Sequence, residues 1–215
     1  MIPRLTLDVP LIPVLVIDDE AWAVPLARAL ARGGLNTLEV TLRTPAALGA
    51  IRRIREEAPQ VRVGAGTLLT PEDVRSAWSA GARFGFAPGL VPDTVRAARD
   101  LGMAFVPGVL TPSEISVALA LDCPQLKFFP AEAAGGVAML KAFASPFGAA
   151  RFCPTGGIGP AQLGAYLALP NVFAVGGSWM APPEAIRRGE WSRIEDLARD
   201  AVRSAGPMPS DRLNG

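Results

Sequence analysis

The sequence predicts an α/β fold, a single (β/α)8 TIM barrel, and three observations carry that expectation. Short runs of Val, Ile, Leu and Phe alternate with helical segments eight times within 215 residues. The connections between them are short, which forces neighbouring strands to run parallel through right-handed crossovers. The length suits one such barrel, and a chain that is 50% hydrophobic with a net charge of +1 has the material for a sizeable core. A doubly wound open sheet is the alternative architecture. It has no need of eight units, and no GxGxxG follows the first strand.

The period-2 apolar runs place strands at residues 11–17, 37–42, 61–66, 83–88, 103–107, 125–130, 151–155 and 172–176. Helices follow near Ala27, Ile51, Val74, Val95, Ile115, Met139, Leu163 and Ile194, most of them opened by Pro, Asp, Ser or Thr and several closed by Gly. The barrel domain is expected over residues 1–205, with 206–215, GPMPSDRLNG, as a frayed polar tail.

Composition narrows the chemistry. Histidine is absent, which removes Ser-His-Asp and Cys-His nucleophile systems, HExxH zinc sites and imidazole acid–base catalysis. Cys123 and Cys153 lack CxxC spacing and read as reduced core thiols of a cytoplasmic protein. The amino-terminal apolar run is short, broken by proline and followed by acids, unlike a signal peptide, and no stretch has the length of a membrane span. No basic stripe points to nucleic acid.

The stretch QLKFFPAEAAGG, from Gln125 to Gly136, holds one of only two lysines, Lys127; the other, Lys141, lies on a helix. Arginine cannot attack a carbonyl, whereas a lysine partly removed from water can lose its proton and form an imine. A strand-edge lysine with its head in solvent is the competing reading. In LNTLEVTLRT, period 2 puts Glu39, Thr41 and Arg43 on the face opposite Leu38, Val40 and Leu42, and so into the barrel. There the charges need partners or a polar cavity, and a buried Glu39–Arg43 ion pair would also satisfy them. Lys127 and Phe129 share the inward parity of the sixth strand.

Several strand ends carry glycine or proline on the rim where barrel sites lie. Gly64, Gly66 and Thr67 end the third, FAPG with Pro88 the fourth and VPG the fifth. CPTGG, with Gly156 and Gly157, and VGGSW, with Gly176, Gly177 and Ser178, end the last two, where this fold frequently binds phosphate through backbone N–H groups and a helix N-terminus.

With LEVTLRT, GAGT, APGL, KFFPAE, CPTGG and GGSW in that order, the sequence resembles the 2-keto-3-deoxy-6-phosphogluconate (KDPG) and 4-hydroxy-2-oxoglutarate (KHG) aldolase family over essentially the whole barrel. The resemblance implies that Lys127 forms the imine and Glu39 is the acid/base. It further implies that Arg43 and Thr67 hold the pyruvate carboxylate, Pro88 and Phe129 line the pocket, and Gly156, Gly157, Gly176, Gly177 and Ser178 take the phosphate end. Ala87 stands where some members have serine, which removes any hydrogen bond from that hydroxyl. No cofactor and no metal are implied, and the partners are a small-molecule substrate and two further copies in a homotrimer. A sugar-phosphate isomerase without imine chemistry and a non-catalytic phosphometabolite-binding barrel are the competing functions.

Overall fold

The computed structural model describes residues 2–207, so all but the first two positions of the expected tail lie outside the described residues. The strands are β1 (Leu11–Leu15), β2 (Thr37–Thr41), β3 (Arg62–Gly66), β4 (Phe84–Phe86), β5 (Ala104–Val106), β6 (Gly108–Val109), β7 (Gln125–Phe128), β8 (Arg151–Pro154) and β9 (Val175–Gly177). The helices are α1 (Ala23–Arg32), α2 (Ala47–Glu57), α3 (Pro71–Ser79), α4 (Pro92–Asp100), α5 (Pro112–Ala120), α6 (Gly136–Ala144), α7 (Pro160–Leu167), α8 (Pro183–Arg187) and α9 (Trp191–Ala205). Among the described residues no helix is long and apolar enough to cross a membrane.

All strand pairs are parallel. One sheet runs β5-β4-β3-β2-β1-β9 and another β6-β7-β8, so within each sheet strands consecutive in sequence are paired and the last strand pairs with the first. The two sheets are separate between β5 and β6 and between β8 and β9, apart from isolated bridges of Phe152 to Val172 and Thr155 to Gly176. A doubly wound sheet instead reverses its strand order part-way across. The expected fifth strand, residues 103–107, is observed as β5 and stops before Pro107, which has no N–H to donate although its carbonyl accepts from Lys127 N at 2.8 Å; the short β6 beyond it is an addition to the expected order. The expected eighth strand forms later than predicted: Val172 makes only a single bridge to Phe152, and the ladder with β1 begins at Leu11↔Val175.

Local chemistry sets the helix starts. Pro71, Pro92, Pro112 and Pro160 occupy first-turn positions where the missing N–H is not needed. Thr70 and Thr111 close capping boxes, accepting from Asp73 N at 3.1 Å and Glu114 N at 3.3 Å while those carboxylates accept from the threonine N–H groups. α8 adds a helix to the expected order, its five residues being too few to show a period.

Strand parity separates two cores. Outward-facing residues such as Leu38, Phe105, Leu126 and Phe152 pack under the helices. Ile12, Phe84, Phe86, Ala104, Val106, Cys153 and Ala174 face inward and are joined by Leu5 and Leu7 from the amino-terminal segment. That segment is fastened by the Gln125 side chain, which accepts from Leu5 N at 2.7 Å and donates to Leu5 O at 3.0 Å. The lower interior is therefore filled with side chains, and the polar pair described next is buried just above it.

Candidate active site

Lys127 lies on β7 between Gly108 of β6 and Cys153 of β8, and Glu39 lies on β2 between Val14 of β1 and Gly64 of β3. Their inward parity brings them together across the curled sheet, with Lys127 Nζ 3.4 Å from Glu39 Oε1. Both are buried, Lys127 at 5% exposure and Glu39 at 1%, so the solvated strand-edge reading of the lysine does not hold. The ammonium position is flanked by the Phe86 and Phe129 rings, with Nζ 5.6 Å and 5.3 Å from their centroids. Such a pocket keeps water away from the amine while leaving its one carboxylate partner in reach.

Two glycines make this arrangement possible by close approach. A Cβ at Gly66 would lie 2.0 Å from Glu39 Oε1, and a Cβ at Gly108 would lie 2.3 Å from the carbonyl of Pro88. Thr67, directly after Gly66, is half-buried and takes a left-handed φ of 61°, unusual for a β-branched residue. Pro88 is half-buried against Gly108, the register partner of Lys127. Ala87 is buried, and its N–H donates to Val106 O at 3.2 Å.

Arg43 departs from its predicted position. β2 ends at Thr41, and Leu42 and Arg43 form a turn, so strand parity no longer governs the arginine and its side chain is exposed. Among the described residues no carboxylate lies within ion-pair distance of it, and Glu39 pairs with Lys127 instead. Arg43 nevertheless lines a cleft of about 480 Å³, together with Phe129, Gly156, Gly157, Gly176, Gly177 and Ser178. Lys127 and Glu39 are not part of its lining, and the Phe129 ring, 5.3 Å from Lys127 Nζ, connects the pair to the cleft wall. Thus the residues expected to hold the phosphate end do share one cavity wall, which Thr67 and Pro88 do not join. Gly156 and Gly157 have φ of 105° and 80°, a backbone path that side chains resist, whereas Gly177 is small because the Trp179 ring occupies the space of its Cβ.

Sequence reasoning missed Phe86, although its parity with Phe84 was available, and missed four residues of the cleft: Asp18 from a loop, Trp22 from a 3-10 turn, Thr155 at the end of the expected seventh strand, where it bridges to Gly176, and Arg187 from α8. Cys153 sits beside the pair as a protonated thiol. Burial, then the Glu39 charge, pushes its pKa up to about 12 against the smaller opposing effect of Lys127. It is therefore no rival nucleophile at neutral pH. Among the described residues no group of three or more His, Cys, Asp or Glu side chains is placed to hold a metal ion.

A buried amine against a buried carboxylate, with Phe129 shared between it and a cleft at the carboxyl ends of parallel strands, is suited to carbonyl chemistry. Residues 3–197 match the family model of the KDPG and KHG aldolases, and the chain belongs to that family. It is 47% identical over 196 residues to the KHG/KDPG aldolase of Escherichia coli strain K12, covering 91% of this chain and 92% of that one. It is likewise 47% identical over 201 residues to the 2-dehydro-3-deoxy-phosphogluconate aldolase of Pseudomonas aeruginosa, covering 94% and 91%. Among solved structures, KDPG aldolase from Legionella pneumophila, with pyruvate captured at low pH as a covalent carbinolamine intermediate, superposes with a TM-score of 0.89 at 44% identity, covering 91% of this chain and 95% of that one. The 2-keto-3-deoxy-6-phosphogluconate aldolase of Zymomonas mobilis ZM4 with 3-phosphoglycerate gives 0.86 at 45% identity, covering 90% and 91%.

Proposed function

We propose that this protein is a class I aldolase that splits KDPG reversibly into pyruvate and glyceraldehyde 3-phosphate, and 4-hydroxy-2-oxoglutarate into pyruvate and glyoxylate. The observation that carries this reading is the buried Lys127–Glu39 contact at 3.4 Å, with the cleft-lining Phe129 ring 5.3 Å from the amine. The Lys127 amine adds to the C2 ketone to give a carbinolamine, and loss of water gives the iminium. Glu39, through a water, takes the C4 hydroxyl proton; the C3–C4 bond breaks and its electron pair moves into the iminium, leaving an enamine and the free aldehyde. The Glu39 proton then passes to C3 of the enamine, and hydrolysis releases pyruvate and the free lysine. The iminium supplies the electron sink, so the sequence needs no further group to accept those electrons. The carbinolamine reported for the Legionella relative is of this kind.

In this reading Arg43 and Thr67 hold the substrate carboxylate, Pro88 and Phe129 form the pocket walls, and Gly156, Gly157, Gly176, Gly177 and Ser178 bind the phosphate. The shared cleft wall supports this for Arg43, Phe129 and the phosphate-end residues, as does the 3-phosphoglycerate found with the Zymomonas relative, whereas Thr67 and Pro88, off that wall, rest on the family resemblance. The two sheets are arcs of one closed eight-stranded barrel spanning residues 1–205: β5 and β6 join through Pro107, and Thr155 bridges in parallel to Gly176 between β8 and β9. We place the enzyme in the cytoplasm as a homotrimer. The exposed apolar residues Leu69, Val91 and Leu110, at 54%, 44% and 38% exposure on successive strand-to-helix loops, are suited to contact between copies. Incubation with KDPG tests the reaction itself: pyruvate and glyceraldehyde 3-phosphate should appear in equal amounts. Proton exchange on the substrate without cleavage would instead indicate an isomerase.

A further inference from the structure

We infer that Arg187 selects substrates whose far end is a dianionic phosphate over those ending in a carboxylate, an inference that rests on the aldolase reading above. Pro183, Ile186 and Arg187 of α8 all line the cleft, a spacing of three and four residues that turns one face of the helix toward it. Arg188, one step round the helix, is instead held by Glu184 at 2.7 Å and Glu190 at 3.9 Å. Among the described residues Arg187 has no carboxylate within ion-pair distance, so its charge is left for whatever enters the cleft.

The ionisable residues of the cleft wall are Asp18, Arg43 and Arg187. Arg43 follows β2, the strand that carries Glu39, whereas Arg187 follows β9 and the Gly176, Gly177 and Ser178 turn. An extended substrate attached to Lys127 and held by Arg43 at its 2-keto acid end directs its other end to the wall that Arg187 completes. Backbone N–H groups and the Ser178 hydroxyl recognise an anion's shape, but a second negative charge is rewarded mainly by a cation. KDPG ends in a phosphate on its sixth carbon, and 4-hydroxy-2-oxoglutarate ends in a singly charged carboxylate at its fifth. Asp18 opposes either anion and does not distinguish a residue of α8 from its neighbour.

The test compares kcat and KM for KDPG and for 4-hydroxy-2-oxoglutarate in the parent, Arg187→Gln, Arg187→Lys and Arg188→Gln proteins. Arg187→Gln should lower the ratio of the two kcat/KM values about tenfold, the larger part through KM for KDPG, as expected for a lost charge-assisted hydrogen bond. Arg187→Lys should restore part of that ratio, and Arg188→Gln should leave it unchanged, since Arg188 is turned away. The loss should shrink as salt is raised. An unchanged ratio in Arg187→Gln, or the same loss in Arg188→Gln, overturns the inference while leaving the aldolase reading intact. A parent protein that cleaves neither compound overturns the aldolase reading first and the inference with it.

Discussion

On the proposed mechanism, replacing Gly66 by alanine should disable proton transfer while Lys127 and Glu39 are both retained. The added Cβ would meet Glu39 Oε1 at 2.0 Å, Cδ at 2.7 Å and Cγ at 2.8 Å. A carbon rests no closer than about 3.3 Å to such an oxygen, so the carboxylate must retreat by roughly 1.3 Å. The backbone cannot yield instead, because Gly66 is registered with Thr41 and its carbonyl accepts from Leu42 N at 2.9 Å. Glu39 then loses its 3.4 Å contact with Lys127, and with it the position from which the proposed proton transfer is made. A misplacement of about 1 Å costs on the order of 10²-fold in rate, and overpacking costs about 1–3 kcal/mol of stability. The assay is exchange of the pyruvate methyl protons beside borohydride trapping of pyruvate. Exchange should fall on the order of 100-fold while trapping persists, and the melting temperature should drop by about 2–4 °C per kcal/mol. Parental exchange rates in a folded Gly66→Ala protein would refute the argument that Glu39 needs this space.

Three further outcomes follow from the same geometry. Glu39→Gln should slow methyl-proton exchange by about 10²–10⁴-fold, the usual contribution of a general acid–base group, and still be trapped by borohydride. Exchange at the parental rate would remove Glu39 from the mechanism. Ser178→Asp sets a carboxylate in the cleft wall beside Gly177, and should raise KM for KDPG far more than for an unphosphorylated analogue. Equal effects on both compounds would move the phosphate elsewhere. Burial raises the Cys123 thiol from 9.0 to about 11 and the Cys153 thiol from 9.0 to about 12, so between pH 9 and those values the folded chain keeps protons that the unfolded chain releases. Urea denaturation should therefore show stability present below pH 9 and declining as pH rises above it; a gain would contradict the burial.

Alternation of apolar runs made the strand and helix order legible, because parallel strands with helices on one face write a regular period into the chain. The inward parity of Glu39 and Lys127 was equally legible, since both lie within strands where alternation holds to the last residue. Arg43 shows where that reasoning stops. One turn residue beyond Thr41 is enough to break the period, and the side chain reaches the cleft by a different route. Pairing partners were beyond reach for a similar reason. Which carboxylate meets Lys127 depends on how far the sheet curls, so Glu39–Arg43 and Glu39–Lys127 are equally compatible with the string of letters. Arg187, Asp18 and Trp22 come from segments with no period, and only the fold assembles them.

The most direct test of the central claim is reductive trapping with borohydride in the presence of pyruvate, followed by peptide mapping. Lys127 is buried 3.4 Å from Glu39, while Lys141 is exposed on α6 and does not line the cleft. A single pyruvyl adduct should form on Lys127, none on Lys141, and Lys127→Arg should abolish both adduct and turnover while the protein stays folded. An adduct on Lys141, or turnover that survives in Lys127→Arg, would contradict an imine on Lys127.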